Sequence, residues 1–236
     1  MARSTTRRAI LARAAAAGLT VAGAAGAGRA LALEGGAAHA SDAPGSSTNV
    51  ARRASAGPGE ARLACSLDAL LDRRRMVRRF TDEPVDDAVV RRLIDAGTRA
   101  PSAGNLQPWA FVVVRDAERR MALARAALGQ TFVAEAPVVI VPCAVPARAR
   151  ERYGERAERY ATIDTSFASL LILLAVVEEG LGACFVGAFD DAEVKRILAL
   201  PADVHPLAVV PVGHPAETPG PQKRRKVADV VHDERW

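Results

Sequence analysis

A chain of 236 residues, half of them hydrophobic, is long enough for one well-filled core with appendages. Its formal net charge of +5 is concentrated at the start: Met1 to Ala40 holds five arginines and one glutamate, and the remainder carries 27 basic and 26 acidic residues. That near balance, with aromatic residues at 4%, argues against a nucleic-acid partner, which needs an electrostatic footprint and stacking platforms. Cys65, Cys143 and Cys184 are odd in number and far apart, and His39, His205, His214 and His232 lack ligand spacing, so neither a disulfide framework nor a metal site is indicated.

The first segment reads as an address. Arg7-Arg8 stands before a weakly apolar Ala/Gly-rich stretch from Ala14 to Gly28, followed by small-residue cleavage sites at Ala30-Leu31-Ala32 and Ala38-His39-Ala40. Residues 1–40 are therefore expected to be a signal peptide of twin-arginine type, with export to the periplasm or outside the cell through the twin-arginine machinery. An ordinary secretory signal, or an over-long gene start on a cytoplasmic protein, are the alternatives. Ala and Gly contribute little transfer energy and Arg29 interrupts the run, so no stable membrane insertion is expected. Residues 41–64, rich in Ser, Gly, Pro and Ala, read as a flexible linker.

From residue 65 to 236 helical and strand patterns alternate. Ser66 caps a helix running to about Arg74, and Asp86 caps the next, with Val85 and Val90 as a hydrophobic staple and Val89, Leu93 and Ile94 as its buried stripe. Pro101 ends that helix. Phe111–Val114 and Val138–Val141 are continuous β-branched runs, expected as central strands covered on both faces, with a helix from Asp116 to Leu128 between them. Ala161 to Glu179 is apolar almost all round, which predicts a core helix buried against a second subunit. Two more strands, Ala183–Val186 and Ala208–Val212, flank a helix that starts at Asp190 and stops before Pro201. These elements make an α+β layered domain with a mostly antiparallel or mixed sheet.

Two segments carry the chemistry. Arg74-Arg75-Met76-Val77-Arg78-Arg79-Phe80 clusters guanidinium groups, whose planar, permanently charged forks suit a phosphate. Pro101-Ser102-Ala103-Gly104-Asn105-Leu106-Gln107-Pro108-Trp109 offers hydroxyl and amide groups able to pair with both donors and acceptors of a heteroaromatic ring. Gly180 to Phe189 and Pro221-Gln222-Lys223-Arg224-Arg225 follow in order. Taken together these four segments resemble the nitroreductase family of flavoproteins, and the resemblance extends from Leu70 to Trp236.

The resemblance implies a three-layer nitroreductase-like fold, with a mixed, mostly antiparallel sheet flanked by helices, in a domain-swapped homodimer. It implies FMN as cofactor, held by Arg74, Arg75, Met76 and Arg78 at the phosphate and ribityl chain, by Ser102, Asn105 and Gln107 along the ring, by the backbone of Val186, Gly187 and Ala188, and by Lys223 and Arg225 returning to the phosphate. The C-terminal tail would cross to the partner subunit. Met76 stands where serine is common in the family, which removes one hydroxyl contact, and Leu170 and Leu171 replace a frequent Gln-Asn pair, which implies a more apolar pocket or seam. The implied activity is FMN-dependent transfer of hydride or electrons from NAD(P)H to a small-molecule acceptor such as a nitroaromatic, a quinone or an activated alkene, with no catalytic side chain assigned. The alternatives are a flavin-binding protein without NAD(P)H turnover and a flavin-dependent dehalogenase or ring-fragmentation enzyme.

Overall fold

The computed structural model describes residues 66–236. The signal and linker expected at residues 1–40 and 41–64, and Cys65, lie outside the described residues. Helix α1 (Leu67–Arg73) begins at Ser66, whose hydroxyl accepts the Ala69 N–H. Helix α2 (Asp87–Thr98) starts after Asp86, which makes no side-chain cap bond; the staple residues Val85 and Val90 are both buried and set the entry of the chain instead. Strand β1 (Trp109–Val114) is followed by α3 (Ala117–Ala126), capped by Asp116 through the Arg119 N–H, then by the short α4 (Phe132–Glu135) and β2 (Val138–Ala144). Helix α5 (Ala147–Tyr153) leads into the 22-residue α6 (Ala157–Glu178), after which come β3 (Gly182–Ala183), α7 (Asp191–Leu198), β4 (His205–Pro206) and β5 (Val210–Gly213). Helix α6 starts four residues earlier than its apolar run because Ala157 and Glu158 continue the helical turn ahead of Ala161.

The sheet runs β1, β2, β5, β3, with β4 also paired to β2, and every one of these pairs is antiparallel. A parallel bridge between Met76 and Ala183 adds the extended Arg74–Arg78 segment beside β3 and makes the sheet mixed. Strand β2 is buried along its whole length, as a doubly covered strand must be. Its alternate residues feed two cores. Val138 and Ile140 pack with Val90 and Leu93 of α2 and Ile172 and Val176 of α6, whereas Val139, Val141 and Cys143 pack with Leu123 of α3, Val133 of α4 and Val194 of α7. Helices on both faces of one sheet give the three expected layers.

Two sequence expectations are corrected. Strand β1 is not central: it pairs with β2 alone and Val113 is exposed, because the sheet ends there among the described residues. The strand expected over Ala183–Val186 is shorter, since only Gly182–Ala183 joins the sheet continuously and Val186 makes an isolated bridge to Val209. Helix α6 is long and apolar enough to cross a bilayer by length and composition, yet Ala161, Ala168, Ile172 and Val176 are packed inside the domain, which is the behaviour of a core helix.

Candidate active site

Just beyond α1 the chain becomes extended and lies against β3, where the Val77 N–H donates to the Ala183 carbonyl at 2.9 Å. This approach needs glycine at position 182, because a Cβ there would sit 2.8 Å from the Val77 side chain. Side chains of the extended segment alternate. Arg75 and Val77 line a cavity of about 350 Å³ together with Leu173, Leu181 and Glu217. On the other side lie Arg74, Met76 and Arg78. Met76 is turned inward: it packs against both cores, and its Sδ accepts the Phe185 N–H at 3.4 Å. Arg78 donates its backbone N–H to Glu217 Oε1 at 2.6 Å and carries its guanidinium over the Phe132 ring at 5.9 Å.

Arg74 is the telling residue of this group. Its Nη1 is buried and makes no hydrogen bond among the described residues, whereas its own backbone carbonyl accepts from Arg75 Nη1 at 2.9 Å. A buried guanidinium nitrogen without an acceptor costs a desolvation penalty that an anionic ligand removes. The turn after β3 is open to solvent. Val186 exchanges both backbone hydrogen bonds with Val209, at 3.0 and 2.9 Å, which anchors the start of the turn to the strand beside it. Gly187 and Ala188 are exposed. A Cβ at Gly187 would meet nothing nearer than the Phe185 ring edge at 3.8 Å, so the protein itself has no steric need for glycine there. Without a side chain, the backbone there is open to close approach from outside. The Ala188 carbonyl is tied to Gln130 Nε2 at 3.3 Å. The parallel register sets Arg74 level with Leu181, at the opposite end of the segment from Gly187; the buried guanidinium nitrogen calls for an anion and the open turn admits a flat ring, the two parts of a ligand such as FMN.

The second loop is built differently. Gly104, Asn105 and Gln107 all take left-handed backbone conformations, with φ of 57°, 56° and 50°. For the two non-glycine residues that costs about 1 kcal/mol each, so something must over-determine the shape. Ser102 Oγ accepts the Gln107 N–H at 3.0 Å, Gln107 Nε2 donates to Asn105 Oδ1 at 3.1 Å, and Arg148 Nη1 reaches the carbonyls of Gln107 and Trp109 at 3.1 and 2.6 Å. From beneath, the buried carboxylate of Asp164 on α6 accepts the Ala103 N–H at 3.0 Å. Burial pushes the Asp164 carboxyl above the ordinary aspartate value, with the Ala103 N–H pulling the other way. The exposed Asn105 and Gln107 amides are thereby displayed at fixed angles.

The two groups do not meet within one chain. The parallel bridge places Met76 four strand spacings from β1, about 19 Å, and the antiparallel register puts Val138 and Ala144 at opposite ends of β2, about 20 Å. The Arg74–Arg78 segment and the Ser102–Gln107 loop thus occupy diagonally opposite corners of the sheet, roughly 25–30 Å apart. No hydrogen bond joins them among the described residues. Lys223 and Arg225 lie in the exposed stretch 221–236, and no hydrogen bond or ion pair joins them to either group among the described residues. Sequence reading did not single out Asp164, Arg148 or Gln130. Their only signal is a polar residue inside or beside an apolar run, which does not say what it holds.

The model of the nitroreductase family matches residues 71–135 and 122–214. A Thermus thermophilus protein named NADH dehydrogenase is 36% identical over 187 residues, which span 67% of this chain and 91% of that one. The FMN reductase [NAD(P)H] of Bacillus subtilis is 30% identical over 176 residues, spanning 69% of this chain and 71% of that one. Among solved structures, the NADPH:FMN oxidoreductase from Vibrio harveyi complexed with NAD+ superposes with a TM-score of 0.66 at 28% identity, covering 71% of this chain and 76% of that one. With its layered sheet, its arginine corner and matches of this extent, the chain belongs to the nitroreductase family.

Proposed function

We propose that this protein is an FMN-dependent oxidoreductase that takes hydride or electrons from NAD(P)H and delivers them to nitroaromatic, quinone or activated-alkene acceptors. The relatives named as FMN reductase and NADPH-flavin oxidoreductase support the cofactor and the donor. The observation that carries the reading is the unsatisfied, buried Nη1 of Arg74 at the start of the arginine segment. Bound FMN would supply the redox chemistry, accepting and releasing hydride at its ring. The chain's own residues do the rest. Arg74 and Arg78 neutralise the phosphate, with Lys223 and Arg225 as further cations, while Gly187 and Ala188 let the ring approach the backbone. Ser102, Asn105 and Gln107 supply hydroxyl and amide partners along it. The purified protein should be yellow and release one FMN per chain on heating, and NADH or NADPH should bleach its visible absorption. Absence of bound flavin after reconstitution with excess FMN would overturn the proposal.

We further propose a domain-swapped homodimer in which each flavin site is shared. A flavin nucleotide is shorter than the separation of the two corners, so the Asn105 loop of one copy has to meet the Arg74 segment of the other. Ile163, Phe167 and Leu170 form an exposed apolar stripe on α6 at helical spacing, and that stripe supports a two-fold seam. The tail residues Val227, Val230, Val231 and Trp236 are exposed as well, which suits a tail crossing to the partner near the unpaired edge of β1. Export by the twin-arginine route is the accompanying proposal, supported by Arg7-Arg8, the mild Ala/Gly stretch and the small-residue sites. That route carries folded proteins, which suits a cofactor gripped at a folded interface.

A further inference from the structure

Asp164 is a buried carboxylate in the middle of an apolar helix, where a charge is costly unless it has a task. Its neighbours on α6 give it none, since Thr165 Oγ1 turns to the Pro108 carbonyl and Ser169 Oγ to the Thr165 carbonyl. Asp164 Oδ2 instead accepts the Ala103 N–H, at the first residue of the turn that carries three left-handed residues. The ends of the Tyr153 and Arg152 side chains also lie close to this turn, 2.8 and 2.9 Å from where a Cβ on Gly104 would stand, but the bond from Asp164 is the one that ties its first residue to α6.

We propose that Asp164 is a positioning residue: as a hydrogen-bond acceptor for the Ala103 N–H it fixes the Ser102–Gln107 turn in the shape that presents Asn105 and Gln107 to the flavin ring. The inference rests on the FMN reading for its ligand but not for the hold on the turn, which is a property of the chain alone. It assigns the role to the acceptor and not to the charge. Asn keeps an acceptor oxygen at the same place, whereas Ala removes it and leaves a buried N–H unpaired. Because the turn faces the ring and the arginines face the phosphate, loss of Asp164 weakens FMN and riboflavin alike.

The test uses the full-length protein and the variants D164A, D164N and A103P. Proline at 103 deletes the donor while leaving Asp164 intact; Ser102, at φ −142° and ψ 150°, already has the backbone that precedes proline. Hydrogen exchange at residues 104–107 is read without ligand, and riboflavin and FMN affinities are read by fluorescence quenching. D164A and A103P are expected to speed exchange in the turn and to weaken both flavins about tenfold, D164N to behave as the parent, and the double variant D164A/A103P to be no worse than either single one. Unchanged exchange in D164A, or a D164N that falls as far as D164A, overturns the proposal. If D164A fails to fold, A103P and D164N decide the same question. A parent protein that binds neither flavin would instead refute the FMN reading, with the exchange data still deciding the hold on the turn.

Discussion

Arg74 separates binding from folding more cleanly than any other residue. Its buried Nη1 has no partner among the described residues, so Arg74→Ala should leave the melting temperature of the flavin-free protein unchanged or raise it. The same change should weaken FMN by about 1.5–3 kcal/mol through the lost charge-assisted bond and leave riboflavin affinity as it was. Equal losses for FMN and riboflavin in a titration would remove Arg74 from the phosphate. Met76 behaves oppositely: its thioether fills both cores and accepts the Phe185 N–H, so restoring serine there costs packing before it returns any hydroxyl contact. Asp164 gives a pH prediction. Its carboxyl is held above the ordinary aspartate value of 3.8 by burial, so the folded state favours the protonated form. The stability this group contributes is present below 3.8 and is lost as pH rises through the raised folded value. Asp164→Asn, which cannot ionise, should therefore gain on the parent in urea melts as pH goes from 4 to 8; a constant difference across that range would refute the sign.

At the level of elements, helix α6 carries the most consequence. Inward it presents Ala161, Ala168, Ile172 and Val176, and outward Ile163, Phe167 and Leu170, two apolar faces on one helix. Phe167→Asp should convert a dimer into a folded monomer, read by light scattering with the far-ultraviolet circular dichroism retained, and a dimer of unchanged stability would place the seam elsewhere. The apolar all-round character was legible in the sequence because it is a property of one helix. The place of β1 was not, since Phe111–Val114 and Val138–Val141 have the same β-branched composition, and only non-local pairing decides which of the two lies at an edge. The arginine segment was legible from charge clustering, and the Ser102–Gln107 loop from its hydroxyl and amide groups, but the left-handed backbone at Gly104 and Asn105 was not read from them. Gln107 in the same conformation, and the reach of Asp164 across to Ala103, depend on contacts between segments sixty residues apart, which no local pattern encodes.

On the scale of the whole molecule, the export proposal fixes which reductant the flavin can meet. Replacing Arg7 and Arg8 by lysine should strand the protein inside the cell, and the parent should be found outside the cytoplasm with a new N-terminus near Leu33 or Ser41, checked by fractionation and N-terminal sequencing. An intact Met1 on soluble cytoplasmic protein would overturn the proposal and leave NAD(P)H as the ready donor. The placement of the two binding corners at opposite ends of one sheet diagonal has a genetic consequence. When each site draws one corner from each copy, a chain damaged at Arg74 and a chain damaged at Asn105 fail alone for different reasons. Co-expressed, they pair so that one of their two sites collects both lesions and the other collects none, and two dead alleles together yield a living enzyme.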